Sequence, residues 1–253
     1  MTAYYNENDP KAAAWLRELI RANLIAPGDV DERSIADVCP GDLGGYAQHH
    51  FFAGIGGWSC ALRLAGWSDS RPVWTGSCPC QPFSAAGKGG GAADSRHLWP
   101  DFWWLIAQRK PSVVFGEQVA SGAGREWLAG VRADMETLGY AVGAADLCAA
   151  GVGSPHIRQR LYWVADSKQT RTEVHPKARI AINGYETASR PGPEWERSAW
   201  SDCAIWNMPD GRRRCEPGSF PLVDGVSERL DAIAGYGNAI VPPLAAEFIR
   251  AYA

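Results

Sequence analysis

Short strand-like runs alternate with helical patterns along the first two thirds of the chain. The runs fall at 49–53, 72–77, 112–115 and 161–165, and the helical patterns at 11–22, 58–65, 98–108 and 123–138. Regular alternation of strand and helix favours a mostly parallel sheet with helices on both faces. The sequence therefore predicts a Rossmann-like α/β fold, with a last helix over 242–252.

Length and composition fit one main core with a small appended lobe. A chain of 253 residues is near the size at which single cores stop growing, and 21% charged residues is an ordinary globular balance. The periodicity fades between 167 and 219, which predicts a small irregular lobe there. Because no apolar run reaches the length of a membrane helix and no signal-peptide core is recognisable, we expect no membrane association and a cytoplasmic protein.

Seven scattered cysteines argue against a disulfide framework and favour free thiols. A zinc site would need a tighter pattern than that of Cys78, Cys80, His49 and His50, because no second cysteine pair accompanies them. We therefore expect no metal.

The net charge of −3 is unusual for a protein that binds nucleic acid, but its distribution is uneven. Residues 1–48 hold four Lys and Arg against eight Asp and Glu, whereas residues 167–219 hold nine against seven. The acidic residues are concentrated in the N-terminal 48 residues, so another part of the protein can still present a basic face.

A glycine-rich segment follows the run at 49–53. Gly54, Gly56 and Gly57 separate that run from the next helical pattern, which is the order of a nucleotide-binding α/β unit. The spacing is not that of the G-x-G-x-x-G fingerprint. Taken alone, a tight strand-to-helix turn explains the glycines equally well.

Cys80 lies in a more informative stretch, SCPCQPFS at residues 77–84. It follows a predicted strand, and a glycine-rich segment comes directly after it. A thiol at a strand end that leads into a flexible loop is a typical presentation of a nucleophile. A buried structural cysteine would not explain the flanking prolines and the glycines.

Five ordered motifs resemble those of the cytosine-C5 DNA methyltransferase family. They are FAGIGG at 52–57, PCQPFS at 79–84, EQV at 117–119, RQR at 158–160 and GN at 237–238. The resemblance extends over residues 51–165 and resumes at 235–248. It implies a methyltransferase that modifies C5 of cytosine in DNA.

The resemblance implies a role for each matched residue. Cys80 would add to C6 of the base, because C5 becomes nucleophilic only after a thiolate has added. Glu117 would protonate or hydrogen-bond N3, Arg160 would bond O2, and Arg158 would support the site. The implied donor is S-adenosyl-L-methionine, which leaves as S-adenosyl-L-homocysteine. Its implied contacts are Phe52, Ala53, Gly54, Ile55, Gly56, Gly57, Trp58, Pro79, Asn238 and Ala239.

The implied partner is double-stranded DNA, bound by a monomer. Because the reacting carbons lie inside the base stack, the target base must flip out, and segment 85–96 is the implied lid. Substrate contacts are expected from Gln81, Ser84, Lys88 and Arg96. The implied organisation is a catalytic and cofactor-binding domain at 1–166, a target-recognition lobe at 167–219 and a return to the catalytic domain at 220–253.

The order of the motifs departs from the family. Gly57 and Pro79 are 22 residues apart in number, which leaves no room for the strands that supply the ribose and adenine contacts. Upstream, Glu7 and Asn8 resemble part of the second motif of the family, and those two residues precede the helical pattern at 11–22. We expect a circularly shifted order in which Tyr4 and Tyr5 form a short strand, whose end places Glu7 where it binds the ribose.

The third motif is also found upstream, at Ser34 and Ile35, with Ile35 expected against the adenine. In this order the strand at 49–53 connects straight to the Cys80 strand. The preference for right-handed crossovers then constrains which face the helix at 58–65 can cover.

Gln118 stands where the family usually has Asn, and the recognition segment is short. Two alternatives therefore stay open beside the DNA methyltransferase. One is a non-catalytic module that grips DNA, and the other is an RNA cytosine-C5 methyltransferase. Transfer of a labelled methyl group to DNA or RNA separates the three.

Overall fold

The computed structural model describes residues 2–79, 98–154, 157–168, 204–207, 213–216 and 239–253. The strands within these ranges are β1 (Ala3–Asn6), β2 (Gly28–Asp31), β3 (Gln48–Phe51), β4 (Val73–Gly76), β5 (Val113–Val119), β6 (Ala141–Cys148), β7 (Gln159–Asp166), β8 (Ala204–Asn207) and β9 (Arg213–Glu216). The α-helices are α1 (Pro10–Arg21), α2 (Gly57–Leu64), α3 (Trp99–Arg109), α4 (Gly122–Thr137) and α5 (Pro242–Tyr252). Short 3-10 turns occur at Ile35–Asp37, Pro40–Leu43 and Ala149–Val152.

Seven strands form one sheet in the order β2-β1-β3-β4-β5-β7-β6. The first five of that order pair in parallel, and β7 pairs antiparallel with β5 and β6. The carboxyl ends of the parallel strands therefore lie at one edge of the sheet, together with the amino end of β7. The predicted α/β fold with a mostly parallel sheet is confirmed.

Helices cover both faces of this sheet. Helices α1, α2 and α5 cover the face that carries the row Tyr5, His50, Thr75 and Phe115. Helices α3 and α4 and the first two 3-10 turns cover the other face, with the row Tyr4, His49, Trp74 and Val114. Each large apolar side chain buried in these layers stabilises the fold by roughly 1.5–3 kcal/mol. Strands covered on both faces have continuous apolar runs, which is why β4 and β5 were recognisable from the sequence.

The crossover β3–α2–β4 has the opposite hand to its neighbours. It steps in the same direction along the sheet as β4–α3–β5, but α2 and α3 lie on opposite faces. The crossover β1–α1–β2 steps the other way with α1 on the face of α2, so it agrees in hand with β4–α3–β5. Because about 98% of such crossovers are right-handed, β3–α2–β4 is the left-handed exception. This is how the chain accommodates the constraint expected for this connection.

The predicted helices and strands up to residue 166 are present, with boundaries shifted by one to four residues. Helix α1 begins at Pro10 with Asp9 as its cap, whose carboxylate accepts from the backbone N–H groups of Lys11 and Ala12. Strands β2 and β6 were not predicted from the sequence. Strand β2 (GDVD) has poor strand propensity, and a Cβ at Gly28 would lie 1.9 Å from the Ala3 carbonyl oxygen, so its close pairing with β1 requires glycine.

Within the predicted recognition lobe, strands β8 and β9 form a two-stranded antiparallel sheet. The prediction of an irregular lobe is thus incomplete for these eight residues, since β8 and β9 have four residues each. The domain boundaries and the monomeric state stay predictions. Among the described residues, no helix is long and apolar enough to span a membrane.

Candidate active site

Four candidate segments meet at the carboxyl edge of the sheet. Strand β1 leads to Glu7, β3 to the glycine turn at 52–57, and β4 to Pro79. Glu117 lies near the end of β5. Strand β5 pairs with β4, and Gly76 of β4 lies opposite Gly116, the residue before Glu117. The predicted neighbours in space are therefore brought together by parallel pairing of strands that are far apart in sequence.

The turn after β3 has a constrained backbone. Phe52 has a φ of 52°, which is costly for a non-glycine residue, and its ring packs edge-on against Phe102 at 6.0 Å. Gly56 has a φ of 81°, and a Cβ there would lie 3.2 Å from the Ile25 side chain. Ala53 and Ile55 pack with the α1 cluster. Close backbone approach to a ligand is the typical use of such a turn.

Glu7 reaches this turn from β1. Its Oε2 atom accepts a hydrogen bond from the backbone N–H of Gly54 at 2.7 Å, and Oε1 accepts from the backbone N–H of Asp9 at 2.9 Å. The carboxylate is thus held at the edge of the sheet between β1 and β3. Asn8 is exposed beside it.

The third upstream segment also lies next to β1. The Nδ2 atom of Asn6 donates to the carbonyl oxygen of Arg33 at 2.8 Å, which fixes the residue before Ser34. Ser34 caps the following 3-10 turn through a bond from the N–H of Ala36. Ile35 is 3% exposed and packs in the core beside α3. A contact of Ser34 or Ile35 with the donor stays a prediction.

Glu117 and Arg160 form the electrostatic centre of the described site. Arg160 Nε lies 2.8 Å from Glu117 Oε1, and both side chains are largely buried. Burial raises the pKa of Glu117, whereas the charges of Arg160 and Arg158 lower it. The carboxyl group is therefore poised between its charged and neutral forms more closely than an exposed glutamate would be.

Arg158 joins this centre to the carboxyl-terminal part of the chain. Its guanidinium donates to the carbonyl oxygen of Ala239, and its backbone φ is 31°. Gly57, at the start of α2, packs so closely against Ile240 that a Cβ would lie 2.8 Å from its side chain. Residues 239 and 240 therefore lie beside Arg158 and the start of the helix that follows the glycine turn, respectively.

A comparison with protein families identifies the chain. The model of the C-5 cytosine-specific DNA methylases matches residues 69–198, just over half of the 253 residues. The chain belongs to this family. The match covers β4, β5, β7 and the Cys80 segment, but begins after the glycine turn.

Two type II methyltransferases show how far the likeness extends. The type II methyltransferase M.AplI of Arthrospira platensis is 37% identical over 150 residues, covering 45% of this chain and 44% of that protein. The type II methyltransferase M.HhaI of Haemophilus parahaemolyticus is 38% identical over 90 residues, covering 34% of this chain and 28% of its own. The chain thus spans less than half the length of these relatives.

Among solved structures, the Entamoeba histolytica methyltransferase EhMeth matches with a TM-score of 0.41 and 15% identity. The match covers 69% of this chain and 56% of that one.

Gln118, the family-atypical neighbour of Glu117, is 1% exposed. Its Oε1 atom accepts from the backbone N–H of Val119 at 3.0 Å, and its Nε2 atom has no partner among the described residues. It therefore packs beside Glu117 without bonding to it in this structure.

The remaining predicted site residues lie outside the described ranges. They are Cys80, Gln81, Ser84, Lys88, Arg96 and Asn238. In the part of the chain that is described, no group of three His, Cys, Asp or Glu side chains could hold a metal ion. His49 and His50 alternate on β3 and so face opposite sides of the sheet.

Trp58, one of the predicted donor contacts, is 4% exposed and packs in the apolar cluster that contains Phe115 and Tyr162, and its contact with the donor stays a prediction. Its indole Nε1 donates to the hydroxyl of Ser77 at 2.9 Å. Sequence reasoning did not single out Ser77, because only the tertiary structure brings α2 beside the end of β4.

Proposed function

We propose that the protein transfers a methyl group from S-adenosyl-L-methionine to C5 of cytosine in double-stranded DNA. The observation that carries the proposal is the buried Glu117–Arg160 pair, at 2.8 Å, beside the strand that leads to Pro79 and Cys80. A carboxyl group of raised pKa next to a cation and a cysteine segment is the set of groups that this chemistry needs.

The proposed reaction divides the work among these side chains. The Cys80 thiolate adds to C6 of the base, while Glu117 holds a proton at N3 and Arg160 bonds O2. The bound donor supplies the methyl group that C5 accepts. Loss of the C5 proton and departure of Cys80 then restore the aromatic ring and free the thiolate.

The glycine turn and Glu7 fit the proposed donor. Glu7 accepts hydrogen bonds from Gly54 and Asp9, so its carboxylate is oriented at the sheet edge where ribose hydroxyls can donate to it. We assign the turn residues 52–57, Asn8, Ser34, Ile35, Pro79, Asn238 and Ala239 to the same donor site.

The proposed substrate is a cytosine flipped out of the duplex, because C5 and C6 cannot be reached inside the stack. Gln81, Ser84, Lys88 and Arg96 are proposed to contact it. Strand β9 adds support for DNA, since Arg213 and Arg214 lie on a two-stranded ribbon, an element narrow enough for the major groove.

The test is transfer of a labelled methyl group to double-stranded DNA and, separately, to RNA. We expect incorporation into DNA at C5 and none with Cys80→Ser, because the hydroxyl lacks thiolate nucleophilicity. Transfer to RNA alone would favour the RNA enzyme. Binding of DNA without any transfer would favour the non-catalytic module.

We also propose that the chain order is circularly shifted relative to the family. Under this hypothesis, the elements of an unshifted chain would follow one another in the order β3, α2, β1, α1, β2, β4. Every crossover would then share one hand, because α2 would lead to β1 instead of β4. The shifted order thus accounts for the left-handed crossover. The family match begins after the glycine turn, which is compatible with a shifted order.

The hydrogen bonds at the amino edge support the same proposal. Gln48 donates through its backbone N–H to the carbonyl of Thr2 at 2.9 Å and through Nε2 to the carbonyl of Ser68 at 3.1 Å. Val73 N–H donates to the carbonyl of Ala47 at 3.2 Å. The ends that an unshifted chain would join are therefore neighbours.

A rearranged gene tests this directly. It would encode 47–68, a short linker, 2–46, a second linker and 72–253. We expect a folded protein that binds the donor with wild-type affinity, since both new connections are short. An unfolded product with several linker lengths, or loss of donor binding alone, would contradict the shift.

A further inference from the structure

Trp58 connects the glycine turn to the segment that carries Cys80. It is the second residue of α2 and follows the turn directly. Its Nε1 atom donates to Ser77 Oγ at 2.9 Å, and Ser77 is the first residue after β4, three positions before Cys80. One side chain thus bridges the candidate donor turn and the start of the nucleophile segment.

The ring of Trp58 is held by the strands that carry the other candidate groups. It stacks on Phe115 with a centroid distance of 6.1 Å and an interplanar angle of 23°, and it meets Tyr162 edge-on at 6.1 Å. Phe115 lies two residues before Glu117, and Tyr162 is the partner of Glu117 across β5 and β7. A ring packed in this way cannot move without displacing these strands.

Core packing alone explains the burial of the ring, but it does not require a bond at the sheet edge. The indole N–H is the one polar group of this side chain, and it is directed to the residue where β4 ends and the path to Cys80 begins. The hydrogen bond therefore links the first turn of α2, which follows the glycine turn, to the residue from which the chain continues to Cys80.

We propose that Trp58 is a positioning residue that ties the Cys80 segment to the donor-binding turn through its hydrogen bond to Ser77. The inference rests on the proposed function, because it assigns the turn to the donor and Cys80 to the base. In this proposal Trp58 acts through Ser77. Its role is to make the position of the nucleophile segment depend on occupancy of the turn.

The variants separate the hydrogen bond from the packing. Trp58→Phe keeps an aromatic ring but removes the indole N–H. Ser77→Ala removes the hydroxyl that accepts its hydrogen bond, and Ser77→Thr retains a hydroxyl. Trp67→Phe is the matched control. Trp67 is 3% exposed, packs against the same Phe115 ring at 5.8 Å, and donates through Nε1 to the Arg71 carbonyl at 3.1 Å, away from the site.

The first measurement is single-turnover methyl transfer to DNA with saturating donor. We expect Trp58→Phe and Ser77→Ala each to slow transfer by roughly tenfold or more, because displacements of about 1 Å can cost up to 100-fold. The double variant should be no slower than either single one, and Ser77→Thr should be near wild type. Trp67→Phe should lose stability but keep its rate.

The second measurement does not need turnover. Cys80 is alkylated with iodoacetamide in the presence and absence of S-adenosyl-L-homocysteine. Peptide fragmentation in tandem mass spectrometry distinguishes Cys80 from Cys78 on the same peptide and from the five other cysteines. We expect the ligand to change the Cys80 rate in the wild type and in Trp67→Phe. The change should disappear in Trp58→Phe and Ser77→Ala.

The outcomes separate this inference from the proposed function. Absence of methyl transfer in the wild type would remove the proposed function, while the alkylation experiment would still decide the coupling. Ligand-dependent alkylation that persists in Trp58→Phe would overturn the inference even if the protein is an active methyltransferase. Equal losses in Trp58→Phe and Trp67→Phe would reduce Trp58 to a packing residue.

Discussion

Replacing Glu7 with Gln should weaken donor binding while the fold is kept. The carboxylate accepts from Gly54 N–H at 2.7 Å and from Asp9 N–H at 2.9 Å. Gln retains the shape and one acceptor oxygen, but its amide group cannot accept from the second N–H. Hydrogen bonds to a charged group contribute about 1.5–3 kcal/mol, so loss of the charge facing the ribose should raise the donor Kd by roughly 10- to 150-fold.

The assay is calorimetric titration with S-adenosyl-L-homocysteine, alongside urea unfolding. We expect a stability loss of about 1 kcal/mol, since Glu7 is only half-buried. The control is Glu32→Gln, which removes a carboxylate from a surface pair with Arg17 and should leave the Kd unchanged. A folded Glu7→Gln protein with wild-type affinity would refute the assignment of Glu7 to the donor site. It would also weaken the hypothesis that the chain order is circularly shifted.

Three further predictions concern charge and backbone. Arg160→Ala removes one of the two charges that lower the pKa of Glu117, so the limb of the pH–rate profile due to Glu117 should move to higher pH; an unmoved limb would contradict the pairing. Burial lowers the pKa of His49 to about 4 and of His50 to about 3, against 6.5 in the unfolded chain. The unfolded state therefore binds protons first, and urea unfolding should show stability falling by a few kcal/mol from pH 6.5 towards pH 4, with no contribution of these groups above 6.5. Gly56→Ala places a Cβ at a φ of 81° and should cost about 1–2 kcal/mol in thermal denaturation; a fully stable variant would show that the turn relaxes.

Much of the fold could be predicted because its signals are local. The helical spacing of 11–22, with Asp9 and Pro10 before it, gave α1, and continuous apolar runs gave β4 and β5. Strand β2 could not be found in this way. Its Gly and Asp residues have no strand propensity of their own, and it forms because β1 offers a backbone to pair with.

The same distinction between local signals and long-range contacts applies to the candidate site. Residue types and motif order pointed to Cys80, Glu117 and the arginines. The chemistry requires a thiolate, an acid and a cation, and these residue types can be identified from the sequence. The sequence also suggested that Glu7 replaces a residue missing after Gly57. Its 2.7 Å contact with Gly54 required the parallel pairing of β1 and β3, which joins residues 47 positions apart.

The sequence alone was therefore sufficient to predict the class of fold and the family, and to propose which groups would react. The tertiary structure decided which face α2 covers, the left hand of its crossover and the bond from Trp58 to Ser77. These depend on contacts between elements distant in the chain, whereas propensity and spacing report only on a residue and its near neighbours.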